Sequence, residues 1–137
     1  MAIFIDTNIF VASQNKDDDN HEKAKNLLYR IIQKQYGSAF TSDYVADEGT
    51  TLVFARTHSR RESNAFLNNM LNSGELFTII YTTQDDFNST AHEYFKQSQL
   101  SFTDCSIIIL MKNHGIKNIA TFDQGFNGIK GIEVINE

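Results

Sequence analysis

Proline and tryptophan are absent from this chain of 137 residues, and it contains a single cysteine, Cys105. Without proline nothing prevents long helices, although this absence identifies none of them. One cysteine cannot form an internal disulfide, and no cysteine–histidine spacing typical of a metal site is present, so we expect a protein of the reducing cytoplasm. No apolar run approaches the roughly 18 residues of a membrane span, and the N-terminal "MAIFIDTN" reaches an aspartate too early for a signal peptide.

Basic residues are also scarce, since 12 lysines and arginines stand against 17 aspartates and glutamates and give a net charge of −5. Taken alone, this balance argues against a nucleic-acid-binding protein. The segment "ARTHSRRESN" (55–64) nevertheless places Arg56, His58, Arg60 and Arg61 within six positions. Two interpretations stay open for this basic cluster, a solvated helix end and a surface that contacts a charged partner.

The rest of the composition is ordinary for a globular protein, with 41% hydrophobic and 21% charged residues. The length suggests one domain with one core. No linker, repeat or low-complexity tract divides the chain, so we expect residues 1–137 to form a single domain.

Strand-like and helix-like segments alternate along the chain. Short apolar, β-branched or aromatic runs predict strands at 2–5, 38–42, 75–83, 117–122 and 132–135. Helical spacing predicts helices after Asp19, from 43 to about 55, at 59–71, from 84 to about 96 and at 102–115, with a short helix or turn at 7–14. This alternation is typical of α/β proteins, and it predicts a three-layer α/β/α sandwich with a central, mainly parallel sheet.

Several helix boundaries carry capping signals. Asp19 with Glu22, and Thr83 with Asp86, have the spacing of a capping box. Ser42 is placed to cap the helix that follows it. A glycine at position 115 is expected to end the helix at 102–115.

Two aspartates follow the ends of predicted strands. Asp6 comes directly after the run "AIFI", and Asp123 follows "NIATF". Each of them alone is explained by the cap of a following helix. In a parallel sheet, however, both would lie at the carboxyl edge, where the active crevice of such sheets is found.

A third carboxylate falls within an apolar stripe of the helix that follows Ser42. Val45, Leu52 and Ala55 form this stripe, and Glu48 lies in its middle, whereas the adjacent Asp47 faces another side. A carboxylate inside an apolar stripe is costly unless it is paired or bound to a metal.

Asp104 presents the same problem, because apolar residues follow it at i+3, i+4 and i+7. A favourable interaction with the helix dipole is its simpler explanation, since it lies in the first turn. No lysine or arginine occupies these stripes, so the acids lack cationic partners. Clustered carboxylates repel one another, and an all-oxygen site of this kind predicts a bound Mg²⁺ or Mn²⁺ ion.

The four histidines do not support a metal-free mechanism with two catalytic imidazoles. They lie on different predicted elements, and isolated histidines are most often surface or capping groups. They are His21, His58, His92 and His114.

The chain resembles the PIN domain family, and especially the VapC-type toxin ribonucleases. The resemblance rests on "FIDTN" (4–8), "SDYVADEGTTL" (42–52), "SFTDCSIIILMKNHGI" (101–116) and "IATFDQGF" (119–126), and it covers nearly the whole chain. "DTN" alone is a weak signal, but the four segments in this order are specific.

The resemblance implies a doubly wound α/β/α sandwich and Mg²⁺- or Mn²⁺-dependent cleavage of single-stranded RNA. It also implies a homodimer and inhibition by a VapB-type antitoxin on a separate chain. The acidic quartet of the family corresponds to Asp6, Glu48, Asp104 and Asp123, with Thr121 and Asn8 as supporting residues. Asp6, Asp104 and Asp123 are expected to bind the metal, and Glu48 to bind it directly or through water.

Two further expectations depend on this resemblance. Arg56, Arg60 and Arg61 become candidate contacts for the RNA backbone. An antitoxin could insert an arginine or lysine among the acids, and Phe10 and Tyr29, taken as exposed aromatics, are candidates for its apolar anchor.

Three alternatives remain open. The first is a PIN-domain nuclease of RNA processing without a toxin role. The second is a phosphoacceptor receiver module, which is disfavoured because no aspartate ends the run "ELFTIIYTT" and Lys130 comes too late. The third is a non-catalytic metal-binding module.

Overall fold

The computed structural model describes all residues, 1–137, and is built around a five-stranded parallel sheet. The strands are β1 (Ala2–Ile5), β2 (Ser38–Ser42), β3 (Thr78–Ile80), β4 (Asn118–Ala120) and β5 (Glu133–Ile135). Their order is β3-β2-β1-β4-β5, and all four neighbouring pairs are parallel. The predicted α/β class with a parallel sheet is confirmed.

Six helices flank the sheet and pack mainly in consecutive pairs, α1 on α2, α3 on α4 and α5 on α6. They are α1 (Thr7–Gln14), α2 (His21–Ile32), α3 (Asp43–Thr57), α4 (Arg60–Leu71), α5 (Gln84–Lys96) and α6 (Phe102–Asn113). A short 3₁₀ turn at Gln124–Phe126 follows β4. None of these helices is both long and apolar enough to cross a membrane.

The strand order contains a reversal beside β1. The chain first adds β2 and β3 on one side of β1 and then returns to add β4 and β5 on the other side. The crevice outside the carboxyl ends of β1 and β4 is therefore a topological switch point, where ligands of such sheets bind.

The register of the sheet explains why two strands are shorter than predicted. Ser42 pairs with Ile80, and β2 ends there because α3 begins, so β3 has no partner beyond Ile80. The chain then turns away, and the Asp43 carboxylate accepts hydrogen bonds from the Thr82 amide and hydroxyl. The predicted strand at 75–83 is thus reduced to three residues, and the one at 117–122 is likewise reduced to Asn118–Ala120.

One capping prediction is wrong. The helix α2 begins at His21 with Asn20 as its N-cap, and no side chain caps it, so Asp19 and Glu22 form no capping box. The Asp18 carboxylate instead accepts a hydrogen bond of 2.8 Å from the Asn20 amide and shapes the preceding turn. The box of Thr83 with Asp86 and the cap by Ser42 are both confirmed.

Packing of α3 against α4 depends on a glycine. Gly49 is buried, and a Cβ atom at this position would lie 2.4 Å from Cζ of Phe66, whose side chain is fully buried. The absent side chain lets the Phe66 ring pack directly on the α3 backbone.

Candidate active site

The carboxyl edge of the sheet brings Asp6 and Asp123 to the switch point. Ile5 pairs with Ala120 at the ends of β1 and β4, and the Asp6 amide extends the ladder by donating to the Ala120 carbonyl at 3.0 Å. Asp6 and Thr121 therefore follow the strand ends side by side, and Asp123 lies two residues further on. Two segments that are far apart in sequence thus meet at one point.

Asp6 is the most buried acid of the site, with 3% of its surface exposed. Its Oδ1 accepts from the Thr7 amide at 2.7 Å, and its Oδ2 accepts from the Thr121 hydroxyl at 2.7 Å. Burial raises the pKa of Asp6 to about 7, the two hydrogen bonds oppose this rise, and the charges of Asp104 and Glu48 add to it. The carboxyl group is therefore held near the midpoint of its titration at neutral pH.

Asp104 lies in the first turn of α6 and forms a capping box with Ser101. The Ser101 amide donates to Asp104 Oδ2 at 3.1 Å, and the Asp104 amide donates to Ser101 Oγ at 3.1 Å. Burial raises the pKa of Asp104, the Ser101 hydrogen bonds oppose the rise, and the charge of Asp123 adds to it. Ser101 and Asp104 have the spacing of a capping box in the sequence, although this box was not among those predicted.

Glu48 and Asp47 point in different directions from α3, as predicted. Glu48 is half-buried, accepts no hydrogen bond and lines the same cavity as Asp6, whereas Asp47 is exposed and lines a separate hollow with Tyr81. The predicted stripe is wrong at one position, since Ala55 is exposed. It lies near the C-terminal end of α3, which extends past the core.

Asp123 caps the 3₁₀ turn that follows β4. Its Oδ1 accepts from the Gly125 amide at 2.8 Å, and its own amide donates to the Thr121 hydroxyl at 3.0 Å. Asp123 is therefore a cap, as its simpler explanation states, and its side chain also lines the cavity of Asp6.

The four acids share one cavity of about 200 Å³, and no basic side chain lines it. The one ion pair of the protein, Lys25 with Glu22, lies elsewhere, on α2. The lining residues are Asp6, Thr7, Asn8, Glu48, Leu52, Ser101, Asp104 and Asp123. The cavity therefore concentrates negative charge that no group of the protein neutralises.

The donor set fits a hard divalent cation, although the side chains are not drawn together around one. No three histidine, cysteine, aspartate or glutamate side chains converge closely enough to hold a metal ion. Asp6, Asp104 and Asp123 each direct one oxygen to a nearby backbone amide instead. Carboxylate oxygens are nevertheless the ligands that Mg²⁺ and Mn²⁺ prefer.

Thr121 and Asn8 connect the two strand ends through hydrogen bonds. The Asn8 amide nitrogen donates to Thr121 Oγ1 at 3.1 Å and to Asp6 Oδ2 at 3.3 Å. Its carbonyl oxygen accepts from the Phe122 amide at 3.0 Å. Both side chains are therefore fully committed, and they hold Asp6 and the segment before Asp123 in a fixed relation.

The histidines lie outside this cavity. His21 and His114 each place Nδ1 within hydrogen-bonding distance of a main-chain carbonyl, that of Ala12 and that of Leu110. His58 ends α3 in a left-handed conformation, and His92 is exposed. No pair of imidazoles faces a common point in the cavity.

The structure separates the three candidate arginines. Arg60 lies over the Phe54 ring at 4.9 Å, and Arg61 is exposed on α4. Arg56 shares a face of α3 with Glu48 and lines two cavities beyond the acidic one. None of the three lines the acidic cavity itself.

One expected antitoxin anchor is wrong in its exposure. Phe10 is only 7% exposed, because its ring packs against Phe77 with a centroid separation of 5.1 Å. Tyr29, on α2, is 65% exposed as expected. Phe10 contributes instead to the wall of an apolar cleft between α1, α2 and α4.

Comparison with known proteins agrees with this architecture. The family model for the PIN domain matches residues 3–132. No curated protein sequence matches the chain.

Several solved structures share the fold over nearly their full length. VapC20 of Mycobacterium tuberculosis, described as a sarcin–ricin loop cleaving toxin, superposes with a TM-score of 0.83 at 24% identity, over 98% of this chain and 99% of that one. VapBC2 of Rickettsia felis, solved with promoter DNA, gives 0.69 at 18% identity over 99% and 98%. A toxin–antitoxin complex of Klebsiella pneumoniae gives 0.62 at 20% identity over 98% and 96%.

Proposed function

Since the chain belongs to the PIN domain family, we propose that it is a metal-dependent endoribonuclease and the toxin of a type II, VapBC-like toxin–antitoxin module. The observation that carries the proposal is the single cavity where Asp6, Glu48, Asp104 and Asp123 meet without any basic side chain. A metal-dependent phosphodiester hydrolase uses such an acidic cavity to hold cations against its substrate.

The acids of the cavity have distinct proposed roles. Asp6, Asp104 and Asp123 hold Mg²⁺ or Mn²⁺, and Glu48 binds the same ion directly or through water. When bound, the ion polarises the phosphate and lowers the pKa of a coordinated water. Glu48, whose oxygens accept no hydrogen bond in the protein, is free to orient the attacking water.

The supporting residues keep the acids in place. The hydroxyl of Thr121 donates to Asp6 Oδ2 and thereby stabilises the ionised carboxylate. Asn8 ties Asp6 to the segment that carries Asp123. Their proposed role is to preserve the geometry of the site while cations and RNA exchange.

Arg56, Arg60 and Arg61 are proposed to contact RNA outside the cavity. Arg56 is the strongest of the three candidates, because its helix leads directly from Glu48 and its side chain forms no hydrogen bond or ion pair within the protein. Arg60 already packs on Phe54, so we expect a smaller contribution from it.

The toxin role and its partner are proposed from the structural relatives. Two of these relatives are toxin–antitoxin assemblies. We therefore propose that this chain binds a VapB-type antitoxin on a separate chain. We also propose that it forms a homodimer and acts in the cytoplasm. The uncompensated charge of the cavity offers an antitoxin arginine or lysine a binding site in place of the metal.

The proposal is tested by mapping cleavage of end-labelled single-stranded RNA with Mg²⁺, with Mn²⁺ and with EDTA. We expect cleavage by the wild type only when metal is present, and its loss in Asp6→Asn and Asp104→Asn. Asp85→Asn, on the exposed side of α5, is the matched control and should cleave normally.

The other outcomes identify the alternatives. Metal binding without any cleavage would indicate a non-catalytic metal-binding module. Cleavage without growth arrest on expression would indicate a nuclease of RNA processing and would remove the toxin role.

A further inference from the structure

A second cavity adjoins the acidic one and shares two of its walls. Asn8 and Leu52 line both of them. The second cavity extends from there along α3 to Arg56 and across to the turn before α2, where Asp18 and Asn20 lie. A group that enters it is therefore next to whatever occupies the acidic cavity.

The helix α3 carries residues of both cavities along one side. Glu48, Leu52 and Arg56 are four residues apart, so they lie on one face of the helix. At a rise of 1.5 Å per residue, Arg56 is about 12 Å along the axis from Glu48. The helix thus leads from the acidic cavity to the guanidinium of Arg56, which has no partner in the protein.

The walls of the second cavity combine apolar surface with a polar rim. Leu52, Phe122 and Val11 supply the apolar surface. The backbone of Phe122 is held in place because its amide donates to Asn8 Oδ1 at 3.0 Å. An apolar wall that includes an aromatic ring suits the face of a nucleobase, because bases stack on aromatic side chains.

The rim offers donors and acceptors that the fold does not use. Arg56 forms no hydrogen bond or ion pair, and the Asn20 side chain forms none although it stands at the N-cap of α2. Asp18 uses Oδ1 for the Asn20 amide, which leaves Oδ2 free. Donors beside acceptors match the edge of a base, whereas the Asp18 carboxylate opposes a phosphate.

We propose that this second cavity is a nucleobase subsite, which binds the base next to the cleaved phosphodiester and gives the nuclease a sequence preference at that one position. The inference rests on the proposed ribonuclease function. Arg56, Asp18 and Asn20 contact the base edge, while Leu52 and Phe122 contact its face.

The first test is the cleavage profile of a pool of randomised single-stranded RNA. We expect the wild type to prefer one base at a single position beside the cut. Arg56→Ala should reduce that preference about tenfold, in the range of a base-edge contact, while cleavage at other steps continues. Arg56→Lys should not restore it, because the ammonium lacks the planar fork of the guanidinium.

Asp18→Asn is the most specific variant. The amide oxygen can still accept from the Asn20 backbone and preserve the turn, while the second oxygen becomes an NH₂ donor. We expect the preferred base at this position to change. Lys117→Ala, which removes an exposed charge just before β4 at the opposite edge of the sheet, is the control and should keep the wild-type profile.

A binding measurement without metal separates this inference from the proposed function. Short RNA oligonucleotides that differ in the one base are titrated into wild type and Arg56→Ala in EDTA. A base-dependent affinity in the wild type that Arg56→Ala loses supports the subsite even if no cleavage is seen. Equal base dependence in the two proteins overturns it.

Two other results would also overturn the subsite. A uniform loss of cleavage at all steps in Arg56→Ala, with recovery in Arg56→Lys, would assign Arg56 to a backbone phosphate. An unchanged profile together with weaker antitoxin binding would assign the cavity to the protein partner.

Discussion

The hydroxyl of Thr121 donates a hydrogen bond of 2.7 Å to Asp6 Oδ2 across a sequence separation of 115 residues. Thr121 Oγ1 itself accepts hydrogen bonds from Asn8 Nδ2 and from the Asp123 amide. One donor and two acceptor positions are the full capacity of a hydroxyl group. Thr121 therefore links two of the four acids and stabilises the ionised form of Asp6.

Replacing Thr121 tests this link directly. Thr121→Val should raise the pKa of Asp6 above its wild-type value of about 7, because a hydrogen bond to the charged form is lost. We expect RNA cleavage at pH 7 to fall about fivefold, because a rise of one pKa unit lowers the ionised fraction of Asp6 from about one half to about one tenth. Thr121→Ser keeps the hydroxyl and should retain most of the activity. Equal activity of the two variants would contradict a role for the hydroxyl.

The stability of the metal-free protein should depend on pH through Asp6. Its pKa rises from 3.8 to about 7 on folding, so the folded state binds this proton more tightly than the unfolded chain. The stabilisation is complete below about pH 4 and is lost as the pH rises to about 7. The upper bound is roughly 4 kcal/mol, at 1.36 kcal/mol per pKa unit.

Denaturant unfolding in EDTA between pH 4 and 8 measures this dependence. The free energy of unfolding of the wild type should fall across the window, and Asp6→Asn should show a smaller fall because residue 6 no longer titrates. Asp104 contributes in the same direction, since its pKa is also raised. Parallel curves for wild type and Asp6→Asn would show that Asp6 ionises normally.

Divalent metal should raise the melting temperature of the wild type, because the ion binds only the folded state. Asp104→Asn should lose most of this gain, and the metal-free variant should melt at or above the wild-type temperature because a repulsive charge is removed. Asp47→Asn, which alters an exposed acid outside the cavity, is the control for a general charge effect. Equal responses of wild type and Asp104→Asn would remove Asp104 from the metal site.

Glu48 and Asp47 are adjacent in sequence but should differ in their effect on activity. Glu48→Gln removes a carboxylate from the acidic cavity, so we expect a loss of at least about tenfold in cleavage rate. Asp47→Asn should change the rate less than twofold, because Asp47 faces a different hollow. Cleavage rates at saturating Mg²⁺ measure both, and the reverse ranking would contradict the orientation of α3.

Gly49→Ala should destabilise the protein, although alanine is the better helix former by about 1 kcal/mol. The new Cβ would lie 2.4 Å from the Phe66 ring, and overpacking of this kind costs about 1 to 3 kcal/mol. Denaturant unfolding gives the difference. The second substitution Phe66→Leu should recover part of the loss, and greater stability of Gly49→Ala than of the wild type would contradict the close packing of α3 on α4.

Much of the fold could be predicted from local patterns. The bounds of β1 and β2 follow from short apolar runs, and the N-terminus of α5 follows from the spacing of Thr83 and Asp86. Asp6, Glu48, Asp104 and Asp123 stand out because charge interrupts apolar surface, which is a property of sequence and periodicity alone.

Other features needed the three-dimensional packing. The pairing of Ser42 with Ile80 limits β3, and Phe10 is buried in the core, where its ring packs on Phe77 from a distant segment. The capping box predicted for α2 does not form, because the chain adopts a turn in which the Asp18 carboxylate accepts a hydrogen bond from the Asn20 amide. In each case a contact between residues or a competing local hydrogen bond outweighed a weaker local preference.

The sequence by itself determined the alternation of strands and helices and the positions of the four acids, because hydrophobic periodicity and strand ends are local. Only the tertiary structure decided that Thr121 and Asn8 bond to Asp6, that burial brings its pKa to about 7, and that Arg56 alone among the three arginines lies along a cavity joined to the acids. Hydrogen bonds and desolvation depend on which distant residues surround a group. The spacing of residues along the sequence does not give these surroundings, which form only when the chain folds.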